Sequence, residues 1–328
     1  MRRMPGLCFA ALWITAVACL TSCRSSSPAG GLIPVVLQTD WYPQPEHGGF
    51  YEALLKGYYR QEGLDVTIKP GGPYISVEQQ VSVGAAQFGL SSSDRVMKAV
   101  AGGQELLAVA ATMQQDPQAI MVHASSPVHS FGDLEGHTIA ANIGATWFAY
   151  IVRRFNLKDV HEAPATYSIA NFLKDPQYIQ QIFVTSEPYL TRRAGVEVRT
   201  LLISDTGYAP YRVFFTSRGM VTEHPEVVRK FVQASLRGWR DYMADPAEVH
   251  RALVKLNPEL DPAQMQFTWA ALRDGHFIYR DDPAQAGSFD PARWTTMRDQ
   301  LASLHLLQRP IEATAAYTTQ FLSAPAPQ

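Results

Sequence analysis

Short apolar runs alternating with helical patterns constrain this chain more than any other feature. Residues 33–37 form such a run, 88–90 and 106–112 repeat it, and 64–68 alternates as a strand. Runs this short, bounded by turn residues, predict strands that are covered on both faces. Helical spacing lies between them. Within 47–62, Phe50, Leu54 and Tyr58 fall four apart on one face, and Gly63 supplies a stop. Ser76 and Gln79 have capping-box spacing ahead of a short helix. Gly102 and Gly103 end the helix that follows Asp94. This order of strand and helix predicts an α/β fold on a parallel sheet.

A turn-rich stretch, 131–136, separates a second set of the same kind. Strands are expected at 137–142, 179–185, 198–203 and 211–216. A helix is expected at 146–155, with Thr146 as its N-cap, and another between 185 and 198. Beyond Thr222 the pattern is almost wholly helical. Val228, Phe231, Val232, Ser235 and Trp239 share one face, Pro225 and Glu226 suit the first turn, and Pro246, Pro262 and Pro291 each mark a helix start. The hydrophobic fraction of 46% is that of a chain with a full core. Two α/β units with a helical closing segment predict two lobes and a central cleft. The first lobe is discontinuous, 33–125 plus 212–328, and the second is 126–211.

The amino terminus points to export. Arg2 and Arg3 precede an apolar run over 7–20 that is too short for a span of ~20 residues. Residues 1–22 therefore read as a signal peptide. Leu20-Thr21-Ser22-Cys23 resembles the lipobox of bacterial lipoproteins, which implies a lipid on Cys23, a tether over 23–32 and a place on the extracytoplasmic, periplasmic side of the cell envelope. Cys8, Cys19 and Cys23 are the only cysteines. The folded part has none, so disulfides, cysteine catalysis and cysteine metal sites are excluded there. Formal net charge is −2 and no Lys/Arg cluster is present, which argues against nucleic acid. The nine histidines lack metal-ligand spacing, and no hydrolase, metalloprotease or phosphate-loop motif occurs. No metal and no cofactor are expected, and no enzymatic activity.

In open parallel sheets, ligands sit beyond the carboxyl ends of the strands. Candidate ligand-binding residues are therefore those that follow each run: Asp40, Trp41, Tyr42 and His47; Ser91, Ser92 and Ser93; Thr146 and Trp147; Glu187; and Tyr208. They offer aromatic planes, hydroxyls and carboxylates, a set suited to a small, flat, polar heteroaromatic. Each also has a structural role open to it: Trp41 and Trp147 in packing, Ser93 as a helix cap, Glu187 at a helix N-terminus.

Several motifs together resemble one known family. Asp40-Trp41-Tyr42-Pro43, His47-Gly48-Gly49-Phe50-Tyr51, Lys56-Gly57-Tyr58-Tyr59 and Glu62-Gly63-Leu64-Asp65-Val66 open it. Pro70-Gly71-Gly72-Pro73, Phe88-Gly89-Leu90-Ser91-Ser92, Asp133-Leu134-Glu135-Gly136 and His224-Pro225-Glu226-Val227-Val228 continue it. They resemble the thiamine-pyrimidine-precursor-binding and sulfonate-binding proteins over essentially all of 33–320. The resemblance implies a type II-like periplasmic binding protein fold. It also implies a monomeric solute-binding role beside an ABC permease and ATPase, with a thiamine pyrimidine precursor as ligand, or else a sulfonate, a flavin or another small acid. The same superfamily holds fungal-type thiamine pyrimidine synthases, which carry a cofactor lysine, a histidine on the same loop and a cysteine-rich run. The matching loop here, Ser91–Arg95, has neither Lys nor His, and the cysteine run has no counterpart. In pyrimidine-binding members an aromatic and a glutamate follow the strand that Thr185-Ser186-Glu187 matches; Glu187 keeps the acid, and Ser186 stands where they have Trp.

Overall fold

The apolar runs become the centres of two five-stranded sheets. The structure is a computed structural model that describes residues 31–280 and 282–322. The expected signal, Cys23 and most of the tether lie outside the described residues, as does the tail from 323 onward. The first half of the chain builds β1 (Ile33–Gln38), α1 (Gly48–Leu55), α2 (Tyr58–Gln61), β2 (Leu64–Lys69), α3 (Val77–Ser82), β3 (Phe88–Ser92), α4 (Ser93–Ala101) and β4 (Leu106–Met113). Then follow β5 (Gln118–His123), β6 (Thr138–Ala141), α5 (Thr146–Arg154), β7 (His161–Pro164), α6 (Ala170–Lys174), β8 (Ile179–Phe183), α7 (Glu187–Arg193) and β9 (Val198–Leu202). The chain closes with β10 (Arg212–Ser217), α8 (Arg218–Glu223), α9 (Pro225–Ala244), α10 (Ala247–Leu256), α11 (Pro262–Asp274) and α12 (Pro291–Ser303).

The first sheet has the order β2-β1-β3-β10-β4, and the second β7-β6-β8-β5-β9. β1 runs parallel to β2 and β3, whereas β10 runs antiparallel to β3 and β4. The second sheet repeats the plan: β6 is parallel to β7 and β8, and β5 is antiparallel to β8 and β9. The expectation of purely parallel sheets is corrected here. Each sheet takes its fourth-positioned strand from a short crossing out of the other, and such a strand enters from the opposite end. The crossings cover 114–117 and 203–211, so 118–123 pairs with the second sheet, ahead of the division expected at 125.

Packing explains why these segments hold their places. Every residue of β3 and β4 is buried, as continuous apolar runs require. One face of the first sheet is covered by α1, α2 and α9. Phe231 of α9 stacks on Phe88 of β3 at 3.9 Å and on Tyr59 at 5.3 Å. All five residues expected on the apolar face of α9 are buried. Helices α1 and α9 meet through glycines: a Cβ on Gly238 would lie 2.2 Å from the Gly49 carbonyl oxygen. The helix expected over 47–62 divides in two, because Gly57 takes a left-handed φ of +70° between α1 and α2. Ser76 makes no side-chain cap bond, and Thr146 is the first residue of α5 rather than its cap.

Candidate functional site

The loop that leaves β1 turns back over the ends of the first sheet and carries the most concentrated polar chemistry of the chain. Asp40 accepts hydrogen bonds there from two sides. The Arg212 guanidinium, from the first residue of β10, meets one carboxylate oxygen. His47 Nε2 meets the other at 3.0 Å. Burial alone would raise the Asp40 pKa, but the adjacent Arg212 charge and the His47 hydrogen bond outweigh it and hold this carboxyl well below the usual range. Arg212 is only 14% exposed and lies 4.0 Å from Asp116. Its guanidinium faces the Phe183 ring, 5.6 Å from the centroid, at the end of β8 in the second sheet.

These groups line a cleft. The β1 loop gives it Asp40, Gln44, Glu46 and His47; the ends of β3 and β4 give Leu90, Ser91, Thr112 and Met113; Phe183 and Arg212 complete it. Glu46 is buried, and burial pushes its pKa above the ordinary value although Thr185 donates to it at 2.7 Å. Burial likewise raises Asp116, with Arg212 partly offsetting it. His47 is 3% exposed, and its Nδ1 has no hydrogen-bond partner. Among the described residues no group of three or more His, Cys, Asp or Glu is placed to hold a metal ion.

The candidates read from the sequence fall into four groups. Asp40, His47 and Ser91 line the cleft. Trp41 and Tyr42 pack edge to face at 5.6 Å, and Trp41 reaches Tyr167, in the loop after β7, at 5.1 Å. Tyr167 holds a left-handed φ of 52°, uncommon for an aromatic residue, and its hydroxyl donates to Asn142 Oδ1 at 2.6 Å. Thr146 and Tyr208 form a second cluster, both donating to Asp94 Oδ2, the latter at 2.7 Å. The remaining candidates sit in the framework. Ser92 is buried at the end of β3, and Ser93 Oγ accepts from the Tyr211 amide at 3.0 Å. Trp147 is 4% exposed inside the main core. Glu187 turns back on its own strand-to-helix connection, where Oε2 accepts the Phe183 amide at 3.0 Å, and it does not line the cleft.

Gln44, Glu46, Thr112, Met113, Phe183 and Arg212 belong to the cleft without having been singled out in the sequence. Thr112 and Met113 follow the strand-end rule and could have been found by it. Arg212 could not, because β10 is antiparallel and presents its amino end.

Comparison with known proteins now places the chain. The family model described as NMT1/THI5 like matches residues 44–249. The chain belongs to this family. Among its relatives, the riboflavin-binding protein RibY of Chloroflexus aurantiacus is 25% identical over 328 residues, covering 96% of this chain and 93% of RibY. The 4-amino-5-hydroxymethyl-2-methylpyrimidine phosphate synthase THI11 of Saccharomyces cerevisiae is 22% identical over 315 residues, covering 88% of each. The alkanesulfonate-binding protein SsuA of Xanthomonas axonopodis pv. citri, bound to MOPS, superposes with a TM-score of 0.67. It is 17% identical over 89% of this chain and 100% of that one. The fold of this family member is that of the periplasmic binding proteins, with two mixed α/β sheets.

Proposed function

We propose that this chain is the solute-capturing component of an ABC importer. A lipid on Cys23 holds it outside the cytoplasm, and its two lobes, one around each sheet, close on a small heteroaromatic that bears N–H donors. The observation that carries this reading is the relay Arg212–Asp40–His47. A carboxylate only accepts, so His47 Nε2 carries the proton that Asp40 receives. In the neutral ring Nδ1 then presents a lone pair. That atom is buried without a partner, and an N–H of a pyrimidine or flavin ring would satisfy it. Trp41 and Tyr167 supply aromatic planes at the flank. RibY supports the same class, since it is named for a heteroaromatic ligand. A sulfonate suits the cleft less well: its one lining cation, Arg212, is already matched by Asp40, and Glu46 adds a further carboxyl.

A catalytic role is not part of this reading, although the family includes synthases. The loop matching their cofactor lysine is Ser91–Arg95. It contains no lysine, and its polar side chains are engaged with the protein: Ser91, at the cleft, donates to Glu78, and Ser93 and Asp94 are bonded as described above.

Isothermal titration tests the reading directly. Protein lacking residues 1–22 is titrated with riboflavin, with 4-amino-5-hydroxymethyl-2-methylpyrimidine and with an alkanesulfonate. Saturable binding of at least one heteroaromatic, weakened roughly 10-fold or more in His47→Gln, is expected. Binding of the sulfonate alone would overturn the assignment.

A further inference from the structure

Arg293 of α12 is hydrogen-bonded to both crossings that join the two sheets. Its Nη1 donates to the Gln114 carbonyl oxygen at 2.5 Å, in the crossing 114–117. Its Nε donates to the Ala209 carbonyl at 2.7 Å and its Nη2 to the Pro210 carbonyl at 2.9 Å, both in the crossing 203–211. The guanidinium also lies over the Tyr211 ring, 3.7 Å from the centroid. A planar fork with donors at fixed angles can reach three carbonyls on two segments at once; a single ammonium cannot. Gln300, two turns further along α12, donates to the Gly207 carbonyl at 2.9 Å. The Gln114 side chain holds the other crossing to the Ser288 carbonyl at 2.9 Å. α12 itself is fixed to the first sheet: its Trp294 stacks on Tyr317 at 4.6 Å, and Tyr317 bridges to Ala108 of β4.

The crossings also carry charges of the site. Arg212 follows directly on one, and Asp116 lies in the other, with 4.0 Å between Arg212 Nη1 and Asp116 Oδ2. Arg293 itself does not line the cleft. We infer that Arg293 is a positioning residue for ligand capture: it clasps residues 114 and 207–211 to the first lobe and confines the swing of the second lobe to 115–117 and 203–206. The inference rests on the reading of two closing lobes above and names the residue that governs their movement. With the clasp in place, Arg212 keeps its register with Asp40 whichever way the second lobe turns, and Asp40 keeps its hold on His47. The unclasped segments have one tie of their own, Gln115 Nε2 to Ser204 Oγ at 2.8 Å, which makes them bend together. Short stretches between rigid bodies absorb domain closure in this way. Without the clasp, ordering of the hinge falls on the binding step and weakens it.

The first measurement needs no ligand. Spin labels are placed on Asp65→Cys, in β2 of the first sheet, and on Lys158→Cys, ahead of β7 of the second, both exposed positions, in mature protein carrying Cys23→Ala. Arg293→Met keeps the apolar stem and removes the fork. Arg293→Lys keeps the charge but reaches only one crossing. Both are expected to broaden the distribution of label-to-label distances. Gln300→Leu releases only the end at 207, should broaden it less, and carries the test if Arg293→Met does not fold. A merely structural role predicts a lower melting temperature with the distribution unchanged; that result, or full rescue by Arg293→Lys, overturns the clasp. The second measurement titrates whichever of riboflavin and the aminopyrimidine binds the unaltered protein. Arg293→Met should weaken it ~3- to 10-fold, although position 293 does not touch the cleft. Unchanged affinity overturns the role in capture. If neither compound binds, the ring-binding reading fails, and the distance distributions alone decide the clasp.

Discussion

Glu187 occupies the first residue of α7, where a carboxylate favours the free amides of a helix start. Burial there pushes its pKa from the ordinary 4.5 to about 7, with only partial relief from the Phe183 amide. The folded protein therefore keeps a proton on Glu187 between pH 4.5 and 7, where the unfolded chain has lost it. Stability contributed by this group is complete below 4.5 and is lost as pH rises through 7. At most about 3 kcal/mol is at stake. Glu187→Gln should accordingly raise the melting temperature at pH 8 by several degrees and change it little at pH 5. An equal change at both values would show that the carboxyl is solvated. The same substitution separates this role from ligand recognition, since a group that only faces its own turn leaves affinity unchanged. At this scale the sequence revealed Asp40, His47 and Ser91, because their strands end at the cleft. It did not reveal the roles of Thr146 and Tyr208. Their common partner Asp94 lies far away in the chain, and only folding brings it to them.

Elements were legible wherever periodicity was strong, and their direction was not. The run at 211–216 reads as a strand whichever way it is paired, yet its antiparallel placement decides that Arg212, rather than a residue near Ser217, reaches the cleft. β7 escaped notice because four residues ending in Pro164 carry no alternation. The joint between α1 and α9 shows an element-scale constraint that is visible only in three dimensions. A methyl group at position 238 would meet the Gly49 carbonyl oxygen at 2.2 Å and the Ala53 Cβ at 2.7 Å. Backbone cannot rotate away as a side chain can, so α9 must move off α1 and disturb the packing of its Phe231 on Phe88 of β3 and Tyr59 of α2. Gly238→Ala should cost about 1–3 kcal/mol, read as a lower midpoint in urea unfolding. An unchanged midpoint would show slack between the two helices. Gly84→Ala meets no neighbour within 4 Å, but its φ of +76° carries a backbone penalty instead, so the two substitutions differ in cause.

At the scale of the molecule, anchoring and closure are the properties to be tested. The proposed lipid on Cys23 predicts that Cys23→Ala moves the protein from the membrane fraction to the soluble fraction; a variant that stays with the membrane would refute lipidation. Closure concerns how the two sheets meet. Several contacts join them: Thr185 with Glu46, Trp41 with Tyr167, and Thr146 and Tyr208 with Asp94. The last of these is buried, and it links the first turn of α4 to the first turn of α5, so it forms only when the two units are together. Its second carboxylate oxygen, Asp94 Oδ1, has no partner, which makes the donors on Oδ2 the more important. Thr146→Val keeps the shape and removes one donor. If ligand entry requires the sheets to part, the joined form loses about 1 kcal/mol relative to the parted one. Ligand affinity should then fall ~5-fold, mainly through faster dissociation, and the radius of gyration in solution should rise in the absence of ligand. A purely structural role predicts a different outcome: a lower melting temperature with affinity and radius unchanged. Stopped-flow dissociation of the bound ligand, followed by tryptophan fluorescence, distinguishes the two.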